Sequence, residues 1–379
     1  MRSWTLAFFS VLLSVSASAT VASAGPALLF EPSNGKVLYS EDPDSQWHPA
    51  SLTKIMTAYL AFEAVKAGKL KLEDTIRCSL VATLQPPSKV GLEVGGSLTV
   101  DQAVQAIIIK SANDVTVMLA EAVAGSETAF VQKMNETAHR LGMTRTTFVN
   151  TNGLPDPQQV TTARDLAKLA RAVVTDFPEY AYYWTLPDMR IGKRRLGTHN
   201  ALLRSFPGAD GLKTGFTCDS GYNVVASASR DGRRLMAVVL GESSGNERAI
   251  RAASLLEHGF QNYGWKELFN TANIDTMPID NNARSATSVR TTVAAWDCGN
   301  RRRKSPAGAR RNKEKSAATK ANAAKPAGGT AEGAPALKGS TDDQLPALKG
   351  STEVQIPGLS TDAAASLMAT PRAASFVEP

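Results

Sequence analysis

Ser51 and Lys54 stand three residues apart at the start of a predicted helix, in the stretch WHPASLTKIMTAYL. The apolar residues around them recur at three- and four-residue spacing, so the two polar side chains share one face of the first turn. A serine beside an ordinary ammonium is inert, because a lysine with a pKa of about 10.4 is neutral roughly once in 2500 molecules at pH 7. Burial and a second cation can lower that pKa by about 3 to 5 units and create a nucleophile with its base. The chemistry therefore requires another positive group from elsewhere in the chain.

Two further short motifs could complete such a site. Ser111 and Asn113 lie in KSAND, in a short link between two predicted helices. Lys213, Thr214 and Gly215 lie in DGLKTGFT, on a predicted strand. Each motif is weak alone, since serine and asparagine are common in turns and lysine and threonine are common on strands. Their order after the Ser-x-x-Lys pair is more informative, because Lys213 would supply the second cation.

Ser-x-x-Lys, Ser-x-Asn and Lys-Thr-Gly, in this order, are the motifs of penicillin-binding proteins and serine β-lactamases. Longer stretches, among them LFEPSNGKVLYSEDPDSQWHPASLTKIMTAYLAFEA and GADGLKTGFTCDSGYNVVASASRDGRRLMAVVLG, narrow the resemblance. Residues 25 to 262 resemble the low-molecular-mass D-alanyl-D-alanine carboxypeptidases, the S11 serine peptidases. The resemblance implies a periplasmic hydrolase of the penicillin-binding-protein and β-lactamase-like transpeptidase fold. Such an enzyme removes the terminal D-alanine from the pentapeptide stem of peptidoglycan.

The resemblance also implies catalytic roles. Ser51 is expected to attack the D-Ala-D-Ala carbonyl while Lys54, its pKa lowered by burial and by Lys213, accepts the proton. Ser111 is expected to relay a proton toward the leaving D-alanine amine. The backbone amides of Ser51 and Phe216 are expected to form the oxyanion hole. No metal and no cofactor is expected in this chemistry.

A second group of residues is implied to bind the substrate. Lys213 and the Thr214 hydroxyl would hold the terminal carboxylate, and Gly215 would let the substrate backbone pair with the strand edge. Asn113 would bond either Lys54 or a substrate amide. Two interpretations of Arg248 stay open: it lies near the carboxylate pocket, or it is a solvated residue of a helix. The full set of predicted substrate-binding residues is Asn113, Lys213, Thr214, Gly215, Phe216 and Arg248.

Three rival functions share some of these motifs. A class A β-lactamase needs a glutamate after the Ser-x-Asn motif, and residues 137 to 178 contain none, so β-lactam antibiotics are expected to be slowly released covalent inhibitors. A D,D-endopeptidase acting on peptidoglycan cross-links would use the same site and stays an alternative. A non-catalytic wall-binding protein of the same fold is the third, although every motif residue is intact.

Periodicity along the chain favours an α/β (α+β) fold. Strand-like segments near both ends of residues 25 to 262 are joined by short turns, which favours antiparallel pairing. The sequence therefore predicts an antiparallel sheet with flanking helices, built from both ends of the domain and carrying a helical insertion. The predicted segments are a β-hairpin at 27–31 and 36–40, a helical region at 50–185, strands at 210–217, 221–229 and 234–241, and a helix at 246–261.

The ends of the 379-residue chain differ from its middle. Residues 1–24 resemble a cleaved signal peptide, which predicts a periplasmic or secreted protein. We expect the catalytic domain at 25–265, a poorly defined connector at 266–300 and a disordered, repeat-containing tail at 301–379. The net charge of +7 arises in residues 301–320, which could meet an anionic envelope surface, and no nucleic-acid partner is expected.

Cysteine and histidine patterns restrict other chemistry. Cys78, Cys218 and Cys298 are an odd number in an exported chain, so at least one thiol is unpaired within the chain. The pairing stays open, and Cys218 is expected to be only a side chain at the end of a strand. The chain has neither Cys-x-x-Cys nor His-Glu-x-x-His, which makes a zinc site from these residues improbable.

Overall fold

Nine strands occur among the residues that the computed structural model describes, which are 25–269, 272–291, Val293 and Cys298. The described residues belong to one compact unit, and the predicted signal peptide and tail lie outside them. The strands are β1 (Ala27–Phe30), β2 (Val37–Glu41), β3 (Thr75–Arg77), β4 (Ser97–Thr99), β5 (Asp188–Ile191), β6 (Arg194–Gly197), β7 (Ala209–Thr217), β8 (Gly221–Arg230) and β9 (Arg233–Glu242).

Five strands form one antiparallel sheet in the order β2-β1-β9-β8-β7. The N-terminal hairpin joins the C-terminal meander where β1 pairs with β9, with Leu28 opposite Val238. This confirms the predicted antiparallel sheet built from both ends of the domain. β7 lies at one edge, so one side of its backbone is not covered by another strand of this sheet. One small hairpin, β3-β4, interrupts the region that the sequence predicted as helical, and a second, β5-β6, follows that region.

The helices of the insertion begin and end close to the sequence signals. Thr99 and Gln102 match the capping-box sequence pattern and form the box, with reciprocal hydrogen bonds of 3.1 Å. Ser126 caps the helix Glu127–Arg140, and the helix Asn113–Ala124 ends before Gly125, which has the left-handed backbone conformation that glycine allows. The helices are α1 (Lys54–Lys66), α2 (Leu80–Thr83), α3 (Val100–Gln105), α4 (Asn113–Ala124), α5 (Glu127–Arg140), α6 (Ala163–Asp176), α7 (Tyr182–Thr185), α8 (Leu202–Ser205) and α9 (Gly245–Phe269).

Both faces of the sheet are buried. Successive side chains of a strand point to opposite faces, so each strand contributes to two cores. Leu28 and Phe30 of β1 face the large core under the helical insertion. Ala27 and Leu29 face a second, smaller core that α9 covers. The layers are therefore helices, sheet and helix, which holds the sheet rigid and fixes the position of its edge strand β7.

Residues that follow α9 pack against the domain that precedes them. The helix runs to Phe269, beyond the predicted boundary at 265, and Ile274 is then fully buried. Arg164 and Asp44 form a buried ion pair with 2.7 Å between Nε and Oδ1. The same guanidinium donates to the carbonyl of Pro278 at 2.9 Å. Described residues of the predicted connector are thus bonded to the domain that precedes them.

Candidate active site

The Ser51 turn is a short 3-10 helix, Ala50–Thr53, that continues directly into α1. Ala50 has a φ of +49°, an uncommon backbone angle for a residue with a side chain. Strained backbone of this kind concentrates at functional sites. The turn leaves Ser51 partly exposed, whereas Lys54, one turn later, is completely buried. A reactant could therefore reach the hydroxyl while water is kept from the amine.

Lys54 makes three polar contacts through Nζ. The distances are 3.0 Å to Ser51 Oγ, 2.8 Å to Asn113 Oδ1 and 2.6 Å to the carbonyl oxygen of Asn152. A neutral amine has two N–H groups and one lone pair. Two donated bonds to the amide oxygens would leave the lone pair directed at the Ser51 hydroxyl. The contact set therefore suits an amine that accepts the serine proton.

The pKa of Lys54 is held well below its ordinary value. Burial is the main cause, because a charged ammonium is costly away from water, and the positive charge of Lys213 is the second cause. Asp114 acts in the opposite direction and favours the ammonium. The second cation that the Ser-x-x-Lys pair requires is thus close enough to act on Lys54.

Ser111 and Lys213 form the opposite side of the site. Lys213 Nζ lies 3.1 Å from Ser111 Oγ and 2.9 Å from the carbonyl of Thr214. Ser111 has a φ of +59° in the link before α4, which begins at Asn113. The left-handed turn reverses the chain between two helices, and the two side chains of the Ser-x-Asn motif then contact different lysines.

A third cation adjoins this pair. Burial and the charge of Arg248 lower the pKa of Lys213 to about 7. Burial also lowers the pKa of Arg248 to about 10. Arg248 lines the same cavity as Ser51 and is only 8% exposed, and its guanidinium lies 5.7 Å from the centre of the Tyr222 ring. It is therefore not a solvated helix residue.

Gly215 brings β7 against the nucleophile turn. A Cβ at this position would lie 3.0 Å from the backbone nitrogen of Ser51 and 3.1 Å from the carbonyl of Pro49. A side chain here would push the strand away from the serine. The sequence explained this glycine only by the approach of a substrate. Thr214 and Phe216 flank Gly215 and line the cavity.

The predicted site residues surround one cavity of about 420 Å³. Ser51, Ser111, Asn113, Thr214, Gly215, Phe216 and Arg248 line it. Lys54 and Lys213 are buried behind Ser51 and Ser111, which they contact. All nine residues are thus brought together from the 3-10 turn and the start of α1, the link before α4 and the start of α4, β7, and the start of α9.

Three residues of this region carried no role in the sequence analysis. Asn152 accepts from Lys54 through its carbonyl, and its side chain donates to Gln85 Oε1 at 2.9 Å. His199 lines the cavity, and burial and then the charge of Lys213 lower its pKa to about 4, so the imidazole is neutral at pH 7. Tyr222 stacks on Phe216 with ring centres 4.2 Å apart. No sequence motif marks these positions. Asn152 contacts Lys54 through its backbone carbonyl, and the neutral state of His199 depends on its burial.

Cys218 is bonded to Cys298, with 5.4 Å between their Cα atoms. The expectation that Cys218 is only a strand-end side chain is therefore wrong. Its partner lies 80 residues later, so spacing alone could not identify the pair. Cys78 is a free, buried thiol. Among the described residues, no group of three or more His, Cys, Asp or Glu could hold a metal ion.

Comparisons with known proteins agree with this geometry. Residues 14–244 match the family described as peptidase S11, D-alanyl-D-alanine carboxypeptidase. D-alanyl-D-alanine carboxypeptidase DacF of Bacillus subtilis (strain 168) is 37% identical over 251 residues, which are 65% of this chain and 64% of that relative. The chain thus spans slightly less than two thirds of the length of this curated relative.

Two solved structures show the same architecture. Penicillin binding protein 5 from Haemophilus influenzae matches with a TM-score of 0.61 and 34% identity, over 63% of this chain and 71% of that one. Penicillin-binding protein D2 from Listeria monocytogenes, in the cefotaxime bound form, matches with a TM-score of 0.57 and 33% identity. That match covers 62% of this chain and 97% of the Listeria chain.

Proposed function

Because this chain belongs to the S11 family of D-alanyl-D-alanine carboxypeptidases, we propose that it removes the terminal D-alanine from peptidoglycan pentapeptide stems. One observation carries the proposal: the fully buried Lys54 amine lies 3.0 Å from the hydroxyl of the partly exposed Ser51. Burial and Lys213 lower the pKa of this amine. A neutral amine in contact with a serine hydroxyl is an activated nucleophile.

In the proposed acylation, Ser51 Oγ attacks the carbonyl carbon between the last two residues of the stem, and Lys54 Nζ takes the hydroxyl proton. The oxyanion is held by the backbone amides of Ser51 and Phe216. Preorganised donors of this kind are worth about 3 to 4 kcal/mol each in related acyl-transfer reactions. The close approach of β7 to the Ser51 turn at Gly215 supports this assignment, because it brings the strand that carries Phe216 against the backbone nitrogen of Ser51.

Collapse of the intermediate breaks the C–N bond and requires a proton on the departing D-alanine nitrogen. Ser111 is suited to relay it, because its hydroxyl is bonded to Lys213 and lines the cavity. The proton that Lys54 took from Ser51 thus passes to the departing nitrogen, and Lys54 is neutral again. Water then attacks the acyl-enzyme and gives a proton to Lys54, which returns it to Ser51 Oγ as the shortened stem leaves. We propose that Thr214 and Arg248 bind the terminal carboxylate, since both line the cavity and Arg248 is a buried cation.

We also propose that β-lactam antibiotics acylate Ser51 and that the protein is exported. Acylation of Ser51 by β-lactam antibiotics is supported by the Listeria relative solved with cefotaxime. No Asp or Glu occurs among the described residues lining the cavity, so the carboxylate base that a class A β-lactamase uses for deacylation is not supplied there. Export by residues 1–24 is supported by the Cys218–Cys298 disulfide, which needs an oxidising compartment. No described helix is long and apolar enough to cross a membrane.

The proposal is tested with a fluorescent penicillin and with peptides. We expect the wild-type protein to form a covalent adduct and Ser51→Ala to form none, while both variants melt at similar temperatures. Release of free D-alanine from a pentapeptide is expected to exceed cleavage of cross-linked stem dimers. Faster cleavage of dimers would identify a D,D-endopeptidase instead. Absence of both the adduct and D-alanine release would leave a wall-binding protein.

A further inference from the structure

A second cavity of about 290 Å³ lies next to the active site. Residues of three short segments, 48–50, 153–159 and 217–219, line it together with Ser288. Gly153, Leu154 and Thr217 line both this cavity and the catalytic one, so the two cavities are adjacent. We call the second cavity the upstream groove. None of the residues with a proposed catalytic role lines it.

The order of residues on β7 gives the direction in which a substrate would run. Thr214 is proposed to meet the terminal carboxylate, and the Phe216 amide is proposed to meet the scissile carbonyl. The acyl part of the substrate must then continue beyond residue 216. Thr217, which ends β7, and Asp219 line the upstream groove. A peptide paired with the free edge of β7 would therefore place its preceding residues in this groove.

The connector forms part of the groove's wall, because Ser288 lines the cavity. Ser288 Oγ donates to Asp219 Oδ1 at 2.6 Å, and the backbone N–H of Val289 donates to the Asp219 carbonyl at 3.0 Å. Arg290 forms an ion pair with the same carboxylate at 2.9 Å. The disulfide of Cys218 joins the connector to the residue that follows β7. These bonds fix the wall against the end of the substrate-binding strand.

We propose that the connector at Ser288 forms the outer wall of the upstream groove and selects stem peptides by the residues that precede the D-Ala-D-Ala pair. This inference rests on the proposed carboxypeptidase function. The wall lies beyond residue 244, where the match to the family ends. Selectivity for longer acyl chains would thus depend on a segment outside the matched region. Remote contacts of this kind can raise the rate at the scissile bond.

The test compares two substrates with the same reacting end, acetyl-D-Ala-D-Ala and an acetylated pentapeptide that ends in D-Ala-D-Ala. Wild-type protein is expected to have the higher kcat/KM on the pentapeptide. Ser288→Trp would fill the groove and should lower kcat/KM on the pentapeptide by about tenfold or more. Hydrolysis of the short substrate and acylation by penicillin should change less than about twofold, because neither reaction needs the groove.

Ser285→Trp is the matched control, because Ser285 is an exposed serine of the same connector and does not line the groove. This variant should have the same kcat/KM as the wild-type protein on both substrates. The double variant Cys218→Ser, Cys298→Ser frees the wall and should lower kcat/KM on the pentapeptide selectively, with penicillin acylation retained.

Equal losses on both substrates, or no loss on the pentapeptide with Ser288→Trp, would overturn the groove assignment. So would a wild-type protein that shows no preference for the longer peptide. Those results differ from failure of the proposed function itself, in which the wild-type protein releases D-alanine from neither substrate. That outcome would remove the inference together with its premise.

Discussion

The coupling between the two buried lysines can be measured by removing one charge. Lys213→Gln deletes a cation while keeping a long polar side chain. At an effective dielectric constant of about 20, two unit charges about 6 Å apart interact by about 3 kcal/mol, so removal of a neighbouring charge can be measured. Burial lowers the pKa of Lys54 more than Lys213 does. The pKa of Lys54 should therefore rise in the variant and still lie below its ordinary value.

The sign of the effect on activity follows from the role of the amine. Lys54 must be neutral to accept the Ser51 proton, so activity is gained as the pH rises through its pKa. A higher pKa moves this acid limb to higher pH by the same amount. At a pH below the acid limbs of both the wild-type protein and the variant, the rate falls tenfold for each unit by which the pKa rises. Loss of the Lys213–Ser111 contact will also lower the plateau, so the midpoint of the limb is the informative quantity.

The assay is the second-order rate constant for acylation by a fluorescent penicillin, measured from pH 4 to pH 10 with incubations long enough for slow variants. Lys213→Arg is the control, because it retains the charge and should keep the acid limb near the wild-type position. A Lys213→Gln profile with a lower plateau but an unchanged midpoint would refute the reasoning. Lys213 would then act only on Ser111 or the substrate and not on the pKa of Lys54.

Three further variants test single contacts. Gly153→Ala should lower the free energy of unfolding by at least about 1 to 2 kcal/mol and slow acylation, because φ is +85° and the new Cβ would lie 1.8 Å from the Ala50 carbonyl; unchanged urea unfolding would contradict this. Asp44→Asn should cost about 3 to 5 kcal/mol in urea unfolding, since it leaves the buried Arg164 guanidinium unpaired; a loss under 1 kcal/mol would show that the pair is replaceable. Arg248→Gln should raise KM for D-Ala-D-Ala peptides about 10- to 100-fold, because a hydrogen bond to a charged group is lost. An unchanged KM in steady-state kinetics would show that Arg248 does not bind the carboxylate.

Several elements could be predicted because their causes are local. The capping box at Thr99 depends only on residues three apart, and the hairpin between β1 and β2 on a turn and an alternating pattern. The sequence did not predict the hairpin β3-β4 within the helical region or the hairpin β5-β6 after it. These strands have only three or four residues, which is too short for an alternating pattern to be distinguished from loops.

The sequence by itself determined the types of group available for catalysis. A serine and a lysine one helical turn apart must share a face, and the order of the three motifs identified the family. The signal-peptide pattern and the basic segment at 301–320 remain predictions, since they lie outside the described residues.

Only the tertiary structure decided which groups meet and how they are charged. The pKa of Lys54 depends on burial and on Lys213, a residue 159 positions away in the chain. The Asn152 carbonyl and the Cys218–Cys298 bond likewise join distant segments. Periodicity describes the neighbours of a residue along one helix or strand. Desolvation and long-range contacts depend on the packing of all the elements together, and a linear pattern does not contain that information.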